Sequence, residues 1–147
     1  MKRLFLATAV ALAGCGGGGG SDKLYLIKVD TQNAGRIVDG RCSLLEALNR
    51  ERDCILIPYT HNEIRLEVPV YVENPPITIP YSLALTGNPL SHAFYWNFDK
   101  PLLYVPQGVR LEVYTDINGI IHNDGTVYLC RDCQVWAITG SGKVYRF

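Results

Sequence analysis

The sequence has no apolar run of the ~20 residues that a bilayer-crossing helix needs and no cluster of Lys and Arg. The first absence leaves no segment to span a membrane as a helix. The second removes the electrostatic footprint that nucleic-acid binding requires, so no nucleic-acid partner is expected. Histidine is scarce. His61, His92 and His122 stand in three different segments, too far apart in sequence to indicate a metal site or a catalytic triad. Helical periodicity is rarer still, with one convincing segment in 147 residues.

What is present begins with an export signal over residues 1–14. Lys2 and Arg3 precede an apolar run from Leu4 to Ala13, and small residues lead to "LAGC". A positive start, a short apolar core and small residues before a cut are the parts of a secretory signal. Leu12, Ala13, Gly14 and Cys15 resemble, position by position, the bacterial lipobox. That resemblance implies cleavage before Cys15, a diacylglyceryl thioether on its sulfur and acyl (palmitate) labelling. The lipid bilayer becomes a partner through the Cys15 anchor. Residues 15–22 continue as "CGGGGGSD", a glycine-rich tether with no side chains to bury. Its six central residues reach ~13 Å on average and ~20 Å when taut. Gly16 after the cysteine, with no Asp, resembles lipoproteins sent to the outer membrane. The expected location is the cell envelope, lipid-anchored.

Residues 23–147 suit one domain with a real core. Lys plus Arg and Asp plus Glu number 14 each; without Lys2 and Arg3 the balance is 12 against 14, about −2. Four cysteines remain: Cys42, Cys54, Cys130 and Cys133. An even count in an exported chain favours two disulfides, with the local pairs Cys42–Cys54 and Cys130–Cys133 the simplest of three connectivities. "CRDC" as a redox pair and the four as zinc ligands are the rivals. The first lies between strands rather than at a helix N-terminus, and the spacing fits zinc poorly. No cofactor or metal is expected.

"RCSLLEALN" is the helical segment. Ser43 and Glu46 have capping-box spacing, and Leu44, Leu45, Ala47 and Leu48 supply good helix formers with an apolar face. Arg50 and Arg52 suit the negative end of the helix dipole. Everything else alternates like strand: "ILIP", "IRLEVPVYV", "ITIPYSLALTG", "LLYVPQGVRLEVYT", "GIIHNDGTVYL", "QVWAITG" and "KVYRF", divided by Gly, Pro, Asn and Asp. The expected class is all-β. A β-sandwich of hairpins fits this pattern, with Asn118-Gly119 and Asp124-Gly125 as turn signals.

"DGRCSLLEALN" resembles the motif that opens a family of exported right-handed parallel β-helices, pectate-lyase-like, with a C-S/T-L-R-E-A-I/L signature. Cys42, Ser43, Leu44, Glu46, Ala47 and Leu48 match, while Leu45 stands where the family has Arg. "GIIHNDGTVYL" resembles a later rung of that family through Asn123, Gly125, Thr126 and Leu129. The resemblance runs from Leu24 to about Leu129. It implies a short right-handed parallel β-helix whose first coil is covered by the small helix, pinned by Cys42–Cys54.

Glu112, Asp116, Asp124 and Asp132 show no evident register, and His122 with Asp124 reads as a surface turn. Catalysis is therefore not expected. "HAFYWNFDKP" crowds Phe94, Tyr95, Trp96 and Phe98 beside Asn97 and Asp99 between prolines, and adjacent aromatics cannot all face one interior. Those six are the expected binding residues, for a glycan or an envelope protein. The expected function is a non-catalytic binding or adhesion module on the cell surface. A polysaccharide-acting enzyme and a structural unit that stacks end to end are the alternatives.

Overall fold

The computed structural model describes residues 23–35, 39–88, 93–94 and 99–147. The chain starts with β1 (Tyr25–Val29), α1 (Leu44–Leu48) and the two-residue β2 (Ile57–Pro58). Next come β3 (Glu63–Leu66), β4 (Val70–Tyr71) and β5 (Ile77–Thr78), then β6 (Leu83–Gly87), β7 (Ala93–Phe94) and β8 (Leu103–Val105). Strands β9 (Arg110–Tyr114), β10 (Ile117–Asn123), β11 (Thr126–Leu129), β12 (Val135–Thr139) and β13 (Lys143–Arg146) complete it. The protein is all-β, as the alternation implies.

The strands make two largely parallel sheets. One is seven-stranded in the order β13-β11-β9-β6-β3-β1-β2; the other runs β4-β7-β10-β8-β5, with β12 on β10. From β3 onward, neighbouring strands of one sheet are separated in sequence by visits to the other. This parallel pairing runs against the alternative of a β-sandwich of hairpins: among the described residues only β1 and β2 pair antiparallel. Asn118-Gly119 lies within β10, and Asp124-Gly125 joins β10 to β11, strands of different sheets. Packing outweighs turn propensity at both. A Cβ on Gly119 would come within 2.9 Å of the Leu102 side chain, and one on Gly125 would overlap the carbonyls of Pro106 and Val109.

Register converts the alternation into a core. Ile64 stands opposite Leu85, Leu85 opposite Val113, and Val113 opposite Leu129. In the second sheet Ile77, Leu103, Ile121 and Ile138 form a similar row. Stacked like residues bury one another, and all but Ile138 are buried. Asn123, also buried, closes a corner: its amide donates to the Lys143 carbonyl (2.9 Å) and its Oδ1 accepts from the Gly125 amide (3.0 Å).

The helix is capped as the sequence predicts. Ser43 Oγ accepts from the Glu46 amide (3.2 Å), and Glu46 Oε1 accepts from the Ser43 amide (3.0 Å). Leu44, Ala47 and Leu48 join the core, and α1 packs on β1 and β3. Cys42 is joined to Cys54 (Cα–Cα 4.7 Å), and Cys130 to Cys133 (5.2 Å). Arg50 departs from expectation. It follows the helix at φ 52°, and its guanidinium lies between the Tyr25 and Tyr81 rings (5.0 and 4.7 Å) while donating to Asn62 Oδ1 (3.0 Å). Two π faces and a neutral acceptor hold it better than the weak dipole of a five-residue helix.

Candidate functional site

In the seven-stranded sheet, the residues between the inward rows face outward. Pairing aligns Glu63, Ala84, Glu112, Tyr128 and Tyr145 into one outward row. A second row holds Lys28, Arg65, Thr86 and Tyr114. Ala84 and Thr86 are short, so the longer side chains of β3 and β9 stand up on either side of β6. Glu63 and Glu112 are two strands apart, about 10 Å between backbones at the usual strand spacing.

On the β3 side, Glu63 is almost fully buried and well supplied with donors. Its Oε2 accepts from Arg65 Nε (3.0 Å), Arg65 Nη2 (2.9 Å) and Thr86 Oγ1 (2.7 Å), and His61 Nε2 lies 3.2 Å from its Oε1. Burial alone would raise its pKa. The hydrogen bonds from Thr86 and Arg65, with the Arg65 charge and His61, outweigh that and hold it below the ordinary glutamate range. Glu63 is thus a fixed carboxylate rather than a proton donor.

On the β9 side, Arg110 Nη2 donates to Glu112 Oε2 (2.8 Å) and Tyr114 Oη donates to Glu112 Oε1 (2.9 Å). The Arg110 guanidinium covers the Tyr128 ring at 5.4 Å, Tyr128 stacks on Tyr145 at 5.1 Å, and Tyr114 meets Phe147 edge-on at 5.3 Å. Burial, then the bond to Glu112, pushes the Tyr114 phenol up, so it stays a neutral donor. Arg110, Glu112, Tyr114, Tyr128 and Phe147 line an open cleft of ≈ 280 Å³. It sets hydrogen-bonding ions, held in place, beside exposed aromatic surface.

A second cluster lies on the outer side of the other sheet. Asp124 Oδ2 accepts from Tyr104 Oη (3.2 Å), its Oδ1 accepts from the Ser141 amide (3.3 Å), and His122 Nε2 lies 3.4 Å away. The Ser141 amide is the main cause of its lowered pKa. His122 Nδ1 is 3.0 Å from Thr139 Oγ1 on the adjacent strand. The sequence pair His122–Asp124 is therefore real, and parallel pairing brings Tyr104 and Thr139 to it. Asp116 and Asp132 share a separate cleft of ≈ 230 Å³ beside Cys130–Cys133, where Asp116 Oδ1 accepts from the Gln134 amide (2.8 Å).

Among the described residues, one set of three carboxylates could offer oxygens to a metal: Asp39, Glu46 and Asp53, within 4.8 Å of one another. Each already accepts a backbone amide, from Arg41, Ser43 and Asp39 respectively. Of the binding residues expected from the sequence, Tyr95, Trp96, Asn97 and Phe98 lie outside the described residues, as do Cys15 and His92. Phe94 belongs to β7 and Asp99 is exposed.

The pairing places Glu112 in one row with Glu63, a carboxylate outside the set of Glu112, Asp116, Asp124 and Asp132 read from the sequence. The signal lay in "RLEVY", "TVYL" and "KVYR", which put Glu112, Tyr128 and Tyr145 on one face once aligned as parallel neighbours. The chain matches no family model, and no curated protein or solved structure is significantly similar to it.

Proposed function

We propose that the chain is a lipid-anchored module of the cell envelope that binds an extended glycan and does not cleave it. In this reading the body is a short right-handed parallel β-helix, and the outer face of its seven-stranded sheet meets the ligand. The parallel pairing within both sheets, alternately visited by the chain, supports the coil. The row Glu112, Tyr128 and Tyr145, flanked by Arg110, Tyr114 and Phe147, carries the binding assignment. Sugars present hydroxyls to planar ions and C–H surface to aromatic rings, and this face supplies both side by side. The lipobox and glycine tether support an anchor that holds the domain just clear of the headgroups.

Glycan hydrolysis needs one carboxyl to carry a proton near neutral pH and another to stay ionised. Glu63 is held ionised by Thr86 and Arg65. Both oxygens of Glu112 are occupied by Arg110 and Tyr114. That arrangement favours binding over hydrolysis. The test is retention of the cell's own envelope polysaccharide on immobilised mature protein, with Arg110→Ala/Tyr145→Ala alongside. Loss of retention in a variant that melts like wild type supports the proposal. Shortening of the polysaccharide by wild type, stopped by Glu112→Gln, replaces it with the enzyme.

A further inference from the structure

β13 closes the seven-stranded sheet at the end away from α1, and it has a neighbour on one side only. At the other end, β2 pairs with β1 and α1 joins the core. Nothing among the described residues does the same for β13. The inward row that holds Leu111 and Val127, both fully buried, ends on Val144, which is 44% exposed. Tyr145 stacks on Tyr128 and is itself 45% exposed. An edge with unpaired backbone and exposed inward residues is a template for one more strand.

Charge selects which strand. Lys143 and Arg146 lie on this edge, both exposed, and neither has an ion pair among the described residues. Two β13 edges brought together would set four cations against one another, which disfavours a second copy. We infer that the free edge of β13 docks an extended acidic strand from a partner protein. In parallel register that strand carries an acid opposite Lys143, an apolar residue opposite Val144, an aromatic opposite Tyr145 and an acid opposite Arg146. The apolar residue would cover Val144 and the aromatic would extend the Tyr128–Tyr145 stack. This surface shares Tyr145 with the proposed glycan face, but the free backbone edge and the cations Lys143 and Arg146 that carry the inference are no part of that proposal.

The test uses the mature chain and two labelled peptides, Ser-Thr-Glu-Val-Tyr-Glu-Thr-Ser and the same peptide with Lys in place of Glu. The acidic peptide should bind saturably, about tenfold tighter than the basic one, and less tightly as salt rises. Amide exchange should slow at residues 143–146 when it binds. Lys143→Glu/Arg146→Glu should reverse the preference between the peptides, a readout that a misfolded variant cannot produce. Equal binding of the two peptides, absence of binding by the acidic one, or protection elsewhere would overturn the inference. So would protection of 143–146 that grows with protein concentration alone, which would assign the edge to a second copy.

Discussion

Glu63 shows what the outer face asks of a single residue. Its carboxylate is buried on the solvent side of a sheet, and it is tolerated there because Thr86, Arg65 and His61 converge on it. Thr86→Val should cost about 1–2 kcal/mol in chemical denaturation, since it removes a donor from a buried anion. The pH dependence has a definite sign. The folded pKa lies below the unfolded one, so Glu63 contributes stability above the ordinary carboxylate range and loses it as pH falls toward the folded value. Melting curves of wild type and Glu63→Gln should therefore differ most near neutral pH and converge in acid. A constant difference at all pH values would mean that the charge is not what stabilises Glu63. Little of this was legible beforehand. Glu63, Thr86 and Arg65 are ordinary strand residues, and only pairing between strands far apart in sequence makes them neighbours.

At the scale of elements, α1 was legible because its signals are local. Capping-box spacing and a run of helix formers depend on six consecutive residues, and the structure returns both cap bonds. Ser43→Ala should cost ~1 kcal/mol, measured by urea unfolding. Leu48→Asp should cost several times more, because it places a charge inside the core. A Leu48→Asp variant that unfolds like wild type would show that α1 is not packed on β1 and β3. Strands were legible as strands, by alternation, but their partners were not. Asn118-Gly119 and Asp124-Gly125 carry a hairpin signature, yet Gly119 packs on Leu102 and Gly125 lies under the carbonyls of Pro106 and Val109. Gly125→Ala should accordingly destabilise by about 3 kcal/mol or more, whereas a hairpin turn glycine would tolerate alanine far better. The same long-range pairing hid the outward row, whereas the aromatic cluster of residues 92–101 is visible within a single short stretch.

At the scale of the whole molecule, the proposal divides attachment, given to an acyl anchor and a glycine tether, from recognition, given to the β body. Cys15→Ser should abolish palmitate labelling and release the protein from the membrane pellet; labelling that survives the change would remove the anchor from the proposal. Recognition is assigned to the outer face of the seven-stranded sheet, and hydroxyl-radical footprinting of side chains tests it most directly. The mature protein is oxidised with and without the cell's envelope polysaccharide, and each tyrosine and tryptophan is read by mass spectrometry. Binding at this face predicts that Tyr114, Tyr128 and Tyr145 lose reactivity together when polysaccharide is present, while Tyr104 and Trp136 do not change. If those three tyrosines react equally in both conditions while Tyr95 and Trp96 become protected, the ligand sits on the aromatic loop and the outer face is not the site.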